Sequence, residues 1–172
     1  MQIRPADTDD YAGIETVLKS AFPDPSEAQL VVSLRAADAD TLELVAEKKG
    51  VVCGTLMFSP VTAKGETGTE TYGLGLGPLA VSPDQQNQGI GAALVDAGLD
   101  YIKTLGAPFC VVLGDPDYYV RFGFETAAKL GIYWDKDEDG QFAKAFQILV
   151  FNPAALPVQK TVIHYHAAFD TV

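Results

Sequence analysis

Residues 77–105 read GPLAVSPDQQNQGIGAALVDAGLDYIKTL, and the fold turns on how this stretch changes character. An apolar run ends at Ser82-Pro83. A polar elbow, Asp84-Gln85-Gln86-Asn87-Gln88, leads into Gly89-Ile90-Gly91. From there the apolar spacing is helical: Ile90, Leu94, Gly98, Ile102 and Leu105, with Tyr101 beside them. Strand, tight glycine turn and helix start, in that order, build an anion site. The first amides of a helix have no intrahelical partner and lie at the positive end of its dipole. Glycine lets a phosphate approach the backbone closely. Residues 86–92 are therefore the candidate seat of a phosphate-bearing cofactor.

Upstream, Met1–Arg4 reads as a short strand, and Ala6–Asp10 offers capping oxygens to a helix with Tyr11, Ile14, Val17/Leu18 and Ala21/Phe22 at helical spacing. Phe22-Pro23-Asp24-Pro25 stops it. Ser26 caps a second helix with Leu30, Val31 and Leu34 on its inner face. Three strands follow as an antiparallel meander: Thr41–Glu47, with Leu42, Leu44 and Ala46 alternating against Glu43 and Val45; Val51–Val61; and Thr71–Val81, with Gly73, Gly75 and Gly77. Lys48-Lys49-Gly50 and the loop Lys64–Glu70 join them. Glycines inside a strand mark a bulge or a close ligand approach.

Downstream, Phe109–Leu113 is a continuous apolar run, expected to lie parallel to Thr71–Val81 because one strand–helix unit separates them. Asp117–Arg121 is a short helical segment, Leu130–Trp134 a further strand, Asp135–Gly140 an acidic loop and Phe142–Phe151 a long final strand. The tail Thr161–Phe169 is moderately β-like. Residues 158–169 would offer an edge through which a homodimer could form.

With 172 residues the chain is most economically one domain, 1–172, with a core at 2–151 and a C-terminal extension at 152–172. No apolar run approaches the ~18 residues of a membrane span. MQIRPADTDD lacks an apolar signal core, so the expected location is cytoplasmic, with no membrane partner. A net charge of −11 argues against nucleic acid, whose phosphates need a basic face, and mildly favours cationic small molecules. Cys53 and Cys110 lie in apolar runs and read as buried thiols. No metal is expected. His164 and His166 lack a third ligand, and Asp135, Asp137, Asp139 and Gly140 lack the glutamate that closes a calcium loop.

Leu79-Ala80-Val81-Ser82-Pro83, then Gln86-x-x-Gly89-x-Gly91-x-x-Leu94, resembles the cofactor signature of the GNAT (Gcn5-related) N-acetyltransferase superfamily. Tyr119-Val120-Arg121-Phe122-Gly123-Phe124 is similar to the family's Tyr-x-x-x-Gly-Phe element. The fuller run Leu113-Gly114-Asp115-Pro116-x-Tyr118-Tyr119-x-Arg121-Phe122-Gly123-Phe124 is similar to the YhbS-like branch. The resemblance implies an α/β (α+β) fold: a mixed, mostly antiparallel sheet of about 6–7 strands flanked by about four helices. It places a splayed parallel strand pair at the cofactor site.

It also implies a direct transfer of an acetyl or other acyl group from acetyl-CoA, a co-substrate, to a primary amine. The pantetheine would run along the backbone of Leu79, Ala80 and Val81. The pyrophosphate would sit on amides of Gln86, Asn87, Gln88, Gly89, Ile90, Gly91 and Ala92. Tyr119 occupies the position of the general acid that protonates the leaving thiolate. Glu27 is a candidate base, with a solvated helix acid as its plain alternative. Asp115 is another, with a turn cap as its alternative, and a water chain without a dedicated base stands beside both. Trp134 either lines the acceptor pocket or caps the core. The elbow departs from the pattern in holding Asp84 and no Lys or Arg, which leaves Arg121, Lys103 and Lys129 as candidates for the 3′-phosphate. The acceptor, a small molecule or a peptide, is not named by the sequence; the acidic composition mildly favours a polyamine, aminoglycoside or lysine-like amine. A non-catalytic acyl-CoA-binding module on the same scaffold is the alternative.

Overall fold

The structure is a computed structural model that describes residues 1–157 and 159–171. Among these residues there are nine strands and four α-helices. In chain order they are β1 (Gln2–Pro5), α1 (Tyr11–Ala21), α2 (Ser26–Ala36), β2 (Leu42–Lys48), β3 (Val51–Gly65), β4 (Glu70–Val81), α3 (Ile90–Thr104), β5 (Phe109–Leu113), α4 (Pro116–Tyr119), β6 (Glu125–Thr126), β7 (Ile132–Trp134), β8 (Phe146–Val150) and β9 (Thr161–Tyr165). The sheet runs β1-β2-β3-β4-β5-β8-β6, with β9 on β3 and β7 on β9. It is the expected mixed sheet with four helices, and its additional strands are short. No helix among the described residues is long and apolar enough to cross a membrane. Two compact units divide the chain, and β3 and β4 contribute residues to both.

The first unit comprises Met1–Ser59, Gly77–Ile102 and the residues from Ala167 onward. Asp7 opens it with a capping box: its side chain accepts from Asp9 N–H, and Asp10 answers from the third position. α1 and α2 bury Ile14, Val17, Leu18, Leu30, Val31 and Leu34 against Val45 and Met57 of the sheet. Ser26 is the first residue of α2 rather than its cap; its N–H is held by Asp24 Oδ1 at 2.8 Å. On α3, Gly98 meets β3: a Cβ there would come 2.6 Å from Phe58 Cε2. Val45 is therefore as buried as Leu44 and Ala46, and β2 lacks the solvent face its alternation suggests. Glu43 is also buried, gripped by Arg35 at 2.7 and 3.0 Å, with the guanidinium stacked 3.6 Å from the Tyr11 ring centroid. Burial pushes Glu43 up despite Arg35, because desolvation outweighs the pairing. The buried stripe of α3 is shifted from the one its spacing suggests. Tyr101 (42% exposed) and Leu105 (63%) face away, while Val95 and Leu99 are buried.

The second unit comprises Pro60–Leu76 and Lys103–His166. β4 and β5 are parallel, as the crossover requires, with register Leu74↔Cys110 and Gly75↔Val111. β8 lies antiparallel to β5 and β6 to β8. The core is Val61, Ala63, Phe109, Val111, Phe146, Ile148 and Ile163, with Ala127 and Ile132. Two of the three β4 glycines serve packing: a Cβ at Gly73 would lie 2.5 Å from the Phe109 ring, and one at Gly75 would lie 2.8 Å from Tyr165 Cε1, whereas one at Gly77, which takes φ 139°, would meet no neighbour among the described residues. β8 starts four residues later than its apolar run, because residues 142–145 form a turn closed by Phe146 N–H on the Phe142 carbonyl at 2.8 Å. The tail is a true strand. β9 pairs antiparallel with Val61–Gly65 of β3 and parallel with all of β7, so the edge expected at 158–169 is occupied within the chain from 161 to 165. Val158 lies outside the described residues.

Candidate active site

β4 ends in the first unit with buried Ala80 between half-buried Leu79 and Val81. Ser82 N–H bonds the Cys53 carbonyl at 2.9 Å, tying the start of the elbow to β3. Pro83–Gln85 make one 3-10 turn. Gln86 is then extended, Asn87 is left-handed at φ 60° and Gly89 is left-handed at φ 80°. Two left-handed residues within three turn the backbone sharply into α3, and at 89 that conformation favours glycine. The first ladder bond of α3 runs from Ala93 N–H to the Gly89 carbonyl, so the amides of Ile90, Gly91 and Ala92 precede it. Residues 86–89 are exposed and Ile90 is buried, which anchors the helix while leaving the turn open to a ligand. This arrangement fits a diphosphate.

The elbow side chains close on one another. Gln86 Nε2 donates to the Val81 carbonyl at 3.0 Å, Gln85 Nε2 to Asp84 Oδ2 at 3.0 Å, and Gln88 Nε2 to the Asp84 carbonyl at 3.4 Å. Gln86 thus bridges the end of β4 and the elbow. The sequence reading missed a contact here. Lys48, at the end of β2, donates to Gln85 Oε1 at 3.1 Å and to Gln88 Oε1 at 3.2 Å. Of the other candidate cations, Arg121 stacks 4.1 Å from the Tyr118 ring centroid, Lys103 is in the last turn of α3, and Lys129 is in a 3-10 turn of the second unit.

Glu27 sits in the first turn of α2, half-buried, and its Oε2 is buried without a hydrogen-bond partner among the described residues. Such an oxygen is costly unless a donor arrives. Asp115, by contrast, is engaged as a cap, accepting from Asp117 N–H at 2.9 Å.

In the second unit, Tyr119 ends α4 and is 8% exposed. It packs edge-on to Tyr118 (centroids 5.0 Å apart) and Phe124 (5.7 Å). Burial pushes its hydroxyl pKa well above the ordinary phenol value, with Tyr118 and Cys110 adding to the effect, so the group stays protonated at neutral pH. Burial likewise raises Cys110, and Cys53 is also buried and raised, which disqualifies both as thiolate nucleophiles. Trp134 lines a pocket of about 580 Å³ with Tyr133, Asp135, Asp137, Glu138 and Asp139. Its ring packs edge-on to Phe142 and Tyr165. His164 Nδ1 is 2.9 Å from Asp135 Oδ2.

The chain matches the profile of the Acetyltransferase (GNAT) family over residues 11–124. It belongs to the GNAT acetyltransferase family. Among the family's proteins it is 38% identical to the Uncharacterized N-acetyltransferase YhbS of Escherichia coli K12 over 164 residues, 94% of this chain and 93% of that protein. The crystal structure of E. coli YhbS in complex with CoA superposes with a TM-score of 0.88 at 35% identity, covering 98% of this chain and 91% of that one. A GNAT family acetyltransferase from Brucella melitensis, in complex with acetyl-CoA, gives 0.80 at 39% identity, covering 98% and 97%. The YhbS-like branch and the GNAT fold expected from the two motifs are thereby shown.

Proposed function

We propose that this GNAT acyltransferase moves an acetyl group from acetyl-CoA directly to a primary amine of a small cationic molecule. The observation that carries this is the elbow: left-handed Asn87 and Gly89 open α3 onto free amides, in a chain whose relatives hold CoA and acetyl-CoA in their crystal structures. We assign the coenzyme to backbone groups of Leu79, Ala80 and Val81 and to residues 86–92. The GNAT match at 11–124 draws on both units, which supports reading residues 1–172 as one acyltransferase domain.

In this mechanism Glu27 takes the proton of the attacking amine through its unpartnered oxygen. The new C–N bond forms, the C–S bond breaks, and the Tyr119 hydroxyl gives its proton to the departing sulfur. To close the cycle Glu27 gives up the proton it took and Tyr119 takes one up, so both groups end as they began. The raised pKa of Tyr119 keeps its hydroxyl protonated at neutral pH but makes it a weaker acid, so the proton passes only as the C–S bond breaks. The net charge of −11 and the acid-lined pocket beside Trp134 support a cationic acceptor.

The deciding experiment follows thiol release from acetyl-CoA across a panel of polyamines, aminoglycosides and lysine derivatives, beside a calorimetric titration of CoA. Amine-dependent release supports the enzyme. CoA binding without release from any amine favours a non-catalytic acyl-CoA-binding module. No binding at all removes the coenzyme assignment.

A further inference from the structure

The elbow carries the charge problem of this protein. It has one acid, Asp84, and no base, yet the coenzyme assigned to it bears a diphosphate and a 3′-phosphate. Helix amides supply roughly half an elementary charge at an N-terminus, which falls short of those phosphates. The structure brings in a full positive charge from a distant part of the chain. Lys48 ends β2 in register with Val51, across a two-residue turn in which Lys49 (φ 55°) and Gly50 (φ 78°) are both left-handed. That turn type holds the hairpin to one twist and fixes where Lys48 projects. The hairpin is joined to the elbow a second time, through Ser82 N–H on the Cys53 carbonyl.

Lys48 Nζ rests on Gln85 Oε1 and Gln88 Oε1, at 3.1 and 3.2 Å. Both partners are uncharged amides, and the amide nitrogens of both are engaged with Asp84. The two glutamines therefore position an ammonium at the elbow without neutralising it. Lys49 lines the same 650 Å³ pocket as Lys48, together with Ser82, Asp84 and Gln85. A carboxylate in place of either glutamine would have made a plain surface ion pair. Neutral acceptors instead leave the charge available to an anion.

We propose that Lys48 is the phosphate-binding cation of the acyl-CoA site, replacing in space the basic residue that the elbow lacks in sequence. This assignment rests on the reading of residues 86–92 as the coenzyme site. It is tested by titrating CoA and 3′-dephospho-CoA into the full chain and its Lys48→Met and Lys48→Arg variants, at low and high ionic strength. Lys48→Met should weaken CoA binding about tenfold at low salt, in keeping with one charge-assisted contact. The gap should narrow at high salt, because the lost interaction is screened. Lys48→Arg should stay close to the parent.

An equal loss for both ligands places Lys48 on the diphosphate. A loss confined to CoA places it on the 3′-phosphate. Either supports the assignment. Binding by Lys48→Met within twofold of the parent, or a loss with the parent's salt dependence, overturns it and leaves Lys48 as a clasp on the elbow. If the parent chain binds neither ligand, the coenzyme reading itself falls, an outcome distinct from an unaffected variant.

Discussion

Tyr119 lies so close over the backbone at Gly114 that a Cβ on Gly114 would stand 2.5 Å from Tyr119 Cε2 and 3.1 Å from Cδ2. The ring cannot simply yield, because Tyr118 and Phe124 pack edge-on against it. Gly114→Ala should therefore displace the ring, costing about 1–3 kcal/mol of stability by overpacking. It should lower kcat by up to about a hundredfold with CoA affinity kept, as expected for a misplaced proton donor. Denaturant melts and steady-state kinetics on the same variant check both halves. A variant with parental kcat would detach Tyr119 from catalysis.

Tyr119→Phe removes the hydroxyl and keeps the ring packing. The proposed role predicts a fall in kcat of about a hundredfold, the lower part of the range for a positioned acid. CoA dissociation constants should stay within about twofold, since no phosphate contact is lost. Comparable turnover by the variant would leave Tyr119 as a packing residue.

Gly98 is the close-approach point between α3 and β3. A methyl there meets the buried Phe58 ring at 2.6 Å and Leu56 Cδ2 at 3.1 Å. Overpacking costs about 1–3 kcal/mol, while alanine recovers about 1 kcal/mol of helix propensity. Gly98→Ala should be net destabilising by up to about 2 kcal/mol in urea unfolding. A stabilised variant would mean that α3 shifts freely on the sheet.

Asp10 is held by Arg4 through both carboxylate oxygens, at 2.6 and 2.8 Å, and this pairing keeps its pKa below the ordinary aspartate value. The unfolded chain then binds its proton first as pH falls. The stability the pair contributes is complete above the ordinary carboxylate range and is lost as pH drops through the folded value. Arg4→Met should therefore destabilise the protein at neutral pH and less at about pH 3. Arg4 also bonds Glu47 at 2.9 Å, so the neutral-pH loss includes that contact. Equal losses at both values would show that the pair does not link folding to protons.

Much of the site was legible because it is local. Ser82 to Leu94 carries its own instructions: a proline after the strand, a left-handed glycine, and a helix whose buried stripe begins at Ile90. Asp115 as a cap and Phe109–Leu113 as a parallel strand were equally readable, one from turn chemistry and the other from crossover rules. Phe142–Ala145 misled because apolar content alone does not separate a strand from a turn. There the chain bends back on itself and leaves Phe142 46% exposed.

The sequence alone determined the elbow at 84–91, the order of strands and helices around it, and the family they belong to, since each of these is written in adjacent residues. Tertiary structure decided what those residues meet. It gave Gly73 and Gly75 to the Phe109 and Tyr165 rings, paired β9 with β3 and β7, and set Lys48 on glutamines 37 and 40 positions away. Such contacts depend on sheet register and hairpin twist, which fix distances between residues that share no local pattern. The basic residue absent from the elbow's sequence is present in its space.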